Sequence, residues 1–170
     1  MSYPESQVRE RARRVRLLCV DVDGVLTDAG MYYGPDGEVL KKFNTRDGMG
    51  LARVRAAGVA VAIISGEDSA IVHARAAKLQ IDDVFCGASD KLAAVVELCS
   101  RHGLQHSEVA FVGDDLNDLS ALAQVGLACA VSDAAEPVQQ VAHYVTRRRG
   151  GDGAVREVCE LLIAAQGDGD

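Results

Sequence analysis

The apolar run Leu17-Leu18-Cys19-Val20 passes directly into Asp21-Val22-Asp23-Gly24-Val25-Leu26-Thr27-Asp28. So short and continuous an apolar run reads as a buried strand, and it sets two carboxylates at its carboxyl end. In an open α/β sheet, that end is where ligands bind. Residues i and i+2 of an extended segment point the same way, so Asp21 and Asp23 are expected to face one another across a small gap. Like charges held that close call for a cation. Mg²⁺ suits the arrangement, because it takes a few carboxylates and completes its shell with water and phosphate oxygens. Gly24 lets the backbone turn away without a side chain blocking the site. Taken alone, the stretch also reads as a strand ending in a solvated acidic turn.

The rest of the chain repeats the pattern of strand, turn and helix. Residues 15–20, 59–64, 109–112 and 127–131 read as strands, with weaker edge strands at 83–85 and 144–145. Leu92, Val95, Val96 and Cys99 follow helical spacing, as do Val155, Val158, Cys159 and Leu162. Strand–helix alternation with short connections predicts an α/β fold, a doubly wound parallel sheet with helices on both faces. One segment departs from it. Met31-Tyr32-Tyr33, the turn Gly34-Pro35-Asp36-Gly37, and residues 38–43 read as a β-hairpin, expected to stand beside the acidic loop as a flap. The expectation is one domain over 1–170, with an ordered core of about 10–165, a flap at about 31–43, and mobile ends at 1–9 and 166–170.

Composition narrows the partners. The net charge of −7 argues against nucleic acid, which needs clustered Lys and Arg. The arginines at 9, 11, 13, 14 and 16 and at 147–149 lack interleaved aromatics and read as solvated faces. No stretch approaches the ~20 apolar residues of a membrane span, and no signal-peptide core is visible. The five cysteines are odd in number and lack metal-site spacing. All but Cys86 fall on apolar faces, where cysteine acts as a small hydrophobe. A cytoplasmic location is expected.

Three further strand ends carry chemistry. Ile63-Ile64-Ser65-Gly66 offers a hydroxyl and a backbone N–H suited to a phosphate oxygen, although Ser65 reads equally as a helix N-cap. Lys91 opens a helix after Ser89-Asp90. A lysine there opposes the helix dipole, which an anionic neighbour would explain. Phe111-Val112-Gly113-Asp114-Asp115-Leu116-Asn117-Asp118 is a second apolar strand ending in carboxylates, with Asn117 or Asp118 as candidate caps of the next helix.

Taken in order, these segments resemble the signature motifs of the haloacid dehalogenase superfamily of aspartyl-nucleophile phosphohydrolases. The likeness is closest to its cap-less branch, the phosphatases of 3-deoxy-D-manno-octulosonate 8-phosphate (Kdo 8-phosphate) and of nonulosonate 9-phosphates. It runs from about residue 16 to 165, including Lys42-Phe43-Asn44-Thr45-Arg46-Asp47-Gly48 and Gly150-Gly151-Asp152-Gly153-Ala154-Val155-Arg156-Glu157. The resemblance implies that Asp21 is the nucleophile, forming an aspartyl-phosphate. It implies that Asp23 is the acid that protonates the leaving sugar oxygen and then the base that activates water. It implies Mg²⁺ held by Asp21, the backbone carbonyl of Asp23, and Asp114, with Asp115 supporting them from behind. Ser65, Gly66 and Lys91 would meet the phosphate.

For the sugar, the resemblance implies a pocket of Asn44, Thr45, Arg46, Asp47 and Gly48, with Arg75 reaching it from a neighbouring position. Here the chain departs from the octulosonate pattern. Glu67 and Ala52 stand where that branch carries arginines, and Glu67, Arg75 and Lys78 resemble the nonulosonate phosphatases instead. Arg75 and Lys78 are spaced i, i+3, and Glu67 is expected to pair with them, either facing the sugar or as a surface ion-pair cluster. Both sugar-acid phosphates stay open. The resemblance further implies a homotetramer, whose flaps pack near neighbouring sites and cover the apolar residues Met31, Tyr32 and Tyr33. A catalytically silent oligomerisation module and a phosphotransferase are the competing readings.

Overall fold

The computed structural model describes residues 3–167. In chain order, α1 (Glu5–Arg13) and β1 (Leu17–Val20) precede the hairpin of β2 (Tyr32–Gly34) and β3 (Gly37–Leu40). Then follow α2 (Thr45–Ala56), β4 (Ala60–Ile64), α3 (Ala70–Lys78), β5 (Asp83–Phe85), α4 (Lys91–His102) and β6 (Val109–Gly113). The chain closes with α5 (Leu119–Leu122), β7 (Leu127–Ala130), α6 (Glu136–Val141), β8 (Tyr144–Val145) and α7 (Ala154–Gly167).

The sheet is ordered β5-β4-β1-β6-β7-β8, and every neighbouring pair is parallel. Strands buried on both faces need continuous apolar runs, and every residue of β1, β6 and β7 is buried. The two weaker strands take the two edges, as their short apolar runs suggest. From β1 the chain builds outward through β4 to β5, then crosses back to β6 and builds the other way. That reversal opens a crevice beside β1 at the carboxyl edge. Val20 is in register with Ile63 of β4 and Val112 of β6, so the segments leaving three adjacent strands emerge level with one another.

Helices α1, α2 and α7 pack together, as do α4, α5 and α6. On α4 the apolar stripe lies slightly off the expected face. Ala94, Val95, Leu98 and Cys99 are buried while Val96 is exposed. Asp90 accepts from the Ala93 N–H at one end of the helix, and Gly103, at φ 65°, turns the chain out at the other.

The amino-terminal expectation is corrected. Residues 5–9 are not a mobile arm but most of α1, because Val8 and Ala12 are buried and two of the arginines bind core backbone. Arg11 Nη1 donates to the Gly126 carbonyl at 2.7 Å, and Arg13 Nε to that of Ala165 at 3.3 Å. Gln166 likewise belongs to α7, its Nε2 donating to the Val15 carbonyl at 2.8 Å. Of the other residues expected to be mobile, 3–4 lead into α1 and 167 ends α7, while 1–2 and 168–170 lie outside the described ones. The hairpin pairs over a shorter length than the sequence suggests, and residues 41–44 leave it without a strand partner. Among the described residues, it is the one β-structure outside the main sheet, and no cap domain is inserted. All five cysteines are free thiols, and only Cys86 is not buried.

Candidate active site

Asp21 leaves β1 at the crevice, 5% exposed. Its Oδ1 accepts from the Val22 N–H at 2.7 Å, and its Oδ2 lies 2.8 Å from Nζ of Lys91. Lys91, the first residue of α4, is 1% exposed. Its second partner is Asp118 Oδ1, at 2.6 Å. The two carboxylates explain a cation placed against the helix dipole: burial alone pulls the Lys91 ammonium down, but Asp21 and Asp118 outweigh it and leave its pKa raised.

Asp118 is the residue that sequence reading undervalued. It is fully buried, and it caps a short 3-10 turn with Oδ2, accepting from the N–H groups of Asp114 (2.9 Å) and Asp115 (3.2 Å). The cap and the lysine contact use different oxygens, so one carboxylate does both jobs. Its position four residues beyond Asp114 was the available signal. Asp115 is exposed and accepts from the Leu116 N–H at 2.7 Å.

Oxygens of Asp21, Asp114 and Asp118 lie within 4.8 Å of one another. Three carboxylates around one lysine carry excess negative charge. Burial, then Asp21 and Asp118, push Asp114 up to about 8. Burial and Asp118, against the pull of Lys91, push Asp21 up to about 6. Asp114 Oδ1 is buried without a hydrogen-bond partner among the described residues. An oxygen-only donor set with an orphaned carboxylate oxygen and surplus charge fits Mg²⁺. Gly24 is required by this packing: at φ +86°, a Cβ there would sit 1.9 Å from Asp114 Oδ2.

Asp23 lines the same crevice as Asp21. Asp23 Oδ1 accepts from Lys41 Nζ at 2.6 Å, and the carboxylate stands outside the cluster of three. The Lys41 side chain is 1% exposed and also lies 2.6 Å from Glu38 Oε1. Glu38 Oε2 in turn accepts from Ser69 Oγ at 3.2 Å. A partly buried chain of contacts, Ser69–Glu38–Lys41–Asp23, thus fastens the hairpin beside the crevice. Nothing in the local sequence signals Lys41, because its contact depends on the hairpin folding back.

The cavity at the crevice, about 430 Å³, is lined by Asp21, Asp23, Ala29, Gly66, Glu67 and Asp114 to Asn117. Ser65 is buried beside it, its Oγ accepting from the Glu67 N–H at 3.3 Å. It is not a helix cap, since α3 starts later and has Ser69 as its N-cap.

The remaining residues expected at the sugar disperse. Asn44 caps α2, accepting from the Arg46 N–H at 2.8 Å, and its Nδ2 donates to the Gly151 carbonyl at 3.1 Å. With Thr45 it lines a second cavity, about 740 Å³, together with Asp28, Lys42, Asp133 and Arg149. Arg46 is exposed. Asp47 turns inward, accepting from the N–H groups of Gly153 (3.2 Å) and Arg156 (2.8 Å) at the start of α7, and Gly48 packs under Arg75. The Arg75 guanidinium lies 5.4 Å from the Phe43 ring centroid and donates to the Asn44 carbonyl at 3.4 Å. Lys78 borders a separate hollow with Ala52. Glu67 therefore faces the crevice alone; no ion pair joins it to Arg75 or Lys78 among the described residues. The expected pairing is corrected, because the two cations sit farther along α3 and face other elements.

The family profile described as haloacid dehalogenase-like hydrolase matches residues 69–158. The 3-deoxy-D-manno-octulosonate 8-phosphate phosphatase of Yersinia pestis is 48% identical over 159 residues, covering 94% of this chain and 85% of its own. Its crystal structure superposes with a TM-score of 0.92 at 47% identity, covering 95% of this chain and 87% of that one. The corresponding phosphatase of Moraxella catarrhalis, solved with magnesium ion, phosphate ion and KDO, gives a TM-score of 0.92 at 40% identity, covering 96% and 94% of the two chains. With sheet, carboxylate cluster and lysine already in place, these matches settle the kinship: the chain belongs to the haloacid dehalogenase-like hydrolases.

Proposed function

We propose that this chain is a Mg²⁺-dependent phosphomonoesterase that hydrolyses the terminal phosphate of a 2-keto-3-deoxy sugar acid, Kdo 8-phosphate foremost, through an aspartyl-phosphate on Asp21. The observation that carries the reading is Asp21 at a strand end, held by buried Lys91 and crowded by Asp114 and Asp118. Asp21 Oδ attacks phosphorus while Lys91 and the Ser65 hydroxyl, with the Gly66 N–H, steady charge on the phosphoryl oxygens. Asp23 gives its proton to the departing sugar oxygen and then takes one from the water that cleaves the aspartyl-phosphate. Lys41 keeps the Asp23 carboxylate apart from the other three. Mg²⁺, when held by Asp21, Asp114 and the Asp23 carbonyl, supplies charge neutralisation on the transferring group; Asp115 and Asp118 support that site.

The relatives named above act on the eight-carbon substrate by their names, and that substrate takes precedence. The nine-carbon alternative rests on Glu67 facing the crevice where a sugar would lie. Arg75, Lys78 and the segment 44–48 would then serve a sugar reached from an adjoining subunit. Tyr32, Tyr33, Val39 and Leu40 of the hairpin are more than half exposed, which favours a homotetramer in which another subunit covers them. A silent module has no use for a lysine buried between two carboxylates. We take the chain to act as one domain in the cytoplasm; among the described residues no helix is long and apolar enough to cross a membrane. Phosphate release over a panel of 8- and 9-phosphorylated ulosonates with Mg²⁺ tests the reading. Turnover of the Kdo ester is expected, and no turnover of any member would overturn it.

A further inference from the structure

Away from the carboxylate cluster, three side chains of different chemistry converge. Asp68 comes from the loop after β4, His73 from the second turn of α3, and Cys86 from the residue following β5. One carboxylate oxygen, one imidazole nitrogen and the sulfur all lie within 4.8 Å of one another. Asp68 and His73 are exposed and Cys86 half-buried, so the group is reachable from solvent. Neither Asp68 nor His73 forms a side-chain hydrogen bond or ion pair with any described residue. They approach closely enough to share an ion without satisfying each other. Burial, helped by the neighbouring Asp68 carboxylate, holds the Cys86 thiol above its usual pKa despite the Ser69 backbone N–H against its sulfur, so a cation between the three groups would relieve the crowding.

We propose that Asp68, His73 and Cys86 form a second metal site, for Zn²⁺ or a similarly thiophilic divalent cation. The donor set decides the metal. Sulfur with imidazole selects a borderline-soft ion over Mg²⁺, and carboxylate, imidazole and thiolate leave a fourth tetrahedral position for water. Ligand bonds of roughly 2.0–2.3 Å require the three groups to draw inward, which two exposed side chains are free to do. Binding releases the Cys86 proton to solvent. The cysteine spacing along the chain conceals the site, because its ligands come from a loop, a helix and a strand end. Occupancy ties the loop 65–69 to α3 and to the end of β5. That loop carries Glu67 in the crevice wall and Ser69, the hydroxyl that anchors the hairpin through Glu38.

Cobalt spectroscopy tests it independently of phosphatase activity. The chelator-treated full chain is first saturated with Mg²⁺, which fills the oxygen-only site and does not bind thiolate, and is then titrated with Co²⁺. The expected result is a near-ultraviolet thiolate-to-cobalt charge-transfer band with tetrahedral visible bands, all displaced by stoichiometric Zn²⁺. Cys86→Ser should lose the charge-transfer band, and His73→Ala should lose the tetrahedral visible bands. Asp114→Ala, altered only at the carboxylate cluster, should keep both. Absence of the band in the parent chain overturns the proposal. So does a band that survives Cys86→Ser, or a titration that His73→Ala leaves unchanged.

Discussion

Nζ of Lys41 lies 2.6 Å from Oδ1 of Asp23, joining the residue that follows the hairpin to a carboxylate eighteen positions earlier in the chain. Held this way, the Asp23 carboxylate stands apart from the cluster of Asp21, Asp114 and Asp118, as the proposed proton-transfer role requires. Lys41→Met should therefore affect substrates according to their leaving group. An alkyl sugar phosphate needs its oxygen protonated, and its kcat should fall by about 10- to 100-fold. A p-nitrophenyl ester leaves without help and should keep most of its kcat. Equal losses on both substrates would assign Lys41 to folding or metal retention instead.

A second expectation concerns pH. With Asp114 pushed up to about 8 and Asp21 to about 6, from ordinary values near 3.8, the metal-free fold holds more protons than the unfolded chain between those limits. This contribution to stability is complete below about pH 4 and is lost as pH rises through about 6 and then 8. Mg²⁺ binds the deprotonated carboxylates, so its stabilising effect should grow over the same window and its binding should release protons. Melting temperatures with Mg²⁺ and with chelator, taken from about pH 5 to pH 9, check this. An increment from Mg²⁺ that stays flat with pH would contradict the assignment of Asp114.

The sheet was legible because buried parallel strands demand continuous apolar runs, and three such runs here (β1, β4 and β6) end in residues with chemistry. That pattern located Asp21, Ser65 and Asp114 without a structure, and the lysine set against a helix dipole located Lys91. Contacts made by chain reversal were not legible. Lys41 reaches Asp23 only after the hairpin closes, and Asp47 looks like a pocket residue until α7 is seen to start above it. Alternation along a strand suggested that Asp21 and Asp23 face each other. The chain leaves β1 after Val20, and both side chains line the one crevice, with Asp23 drawn to Lys41 and outside the carboxylate cluster that Asp21 joins.

Asp47→Ala separates packing from chemistry. Two backbone N–H groups at the start of α7 would lose their acceptor, at a cost of about 1–3 kcal/mol. Chemical denaturation should show that loss, with kcat of the folded fraction unchanged. A normal midpoint with a raised KM would instead return Asp47 to the sugar.

Glu67→Arg tests the substrate. Since Glu67 pairs with neither Arg75 nor Lys78, the change replaces an unpaired carboxylate in the crevice wall with a fork suited to a carboxylate. One such contact is worth roughly 1–3 kcal/mol, so kcat/KM for Kdo 8-phosphate relative to a nonulosonate 9-phosphate should rise about 5- to 150-fold. An unchanged ratio would make Glu67 a bystander.

The account stands on a covalent phosphate at Asp21. Acid quenching during turnover of Kdo 8-phosphate with Mg²⁺, followed by mass spectrometry of the peptide bearing Asp21, measures it directly. The prediction is a phosphate adduct on Asp21 in the parent chain, with neither adduct nor turnover in Asp21→Asn. An Asp21→Asn variant that still releases phosphate at a substantial rate, or an adduct on another residue, would contradict it.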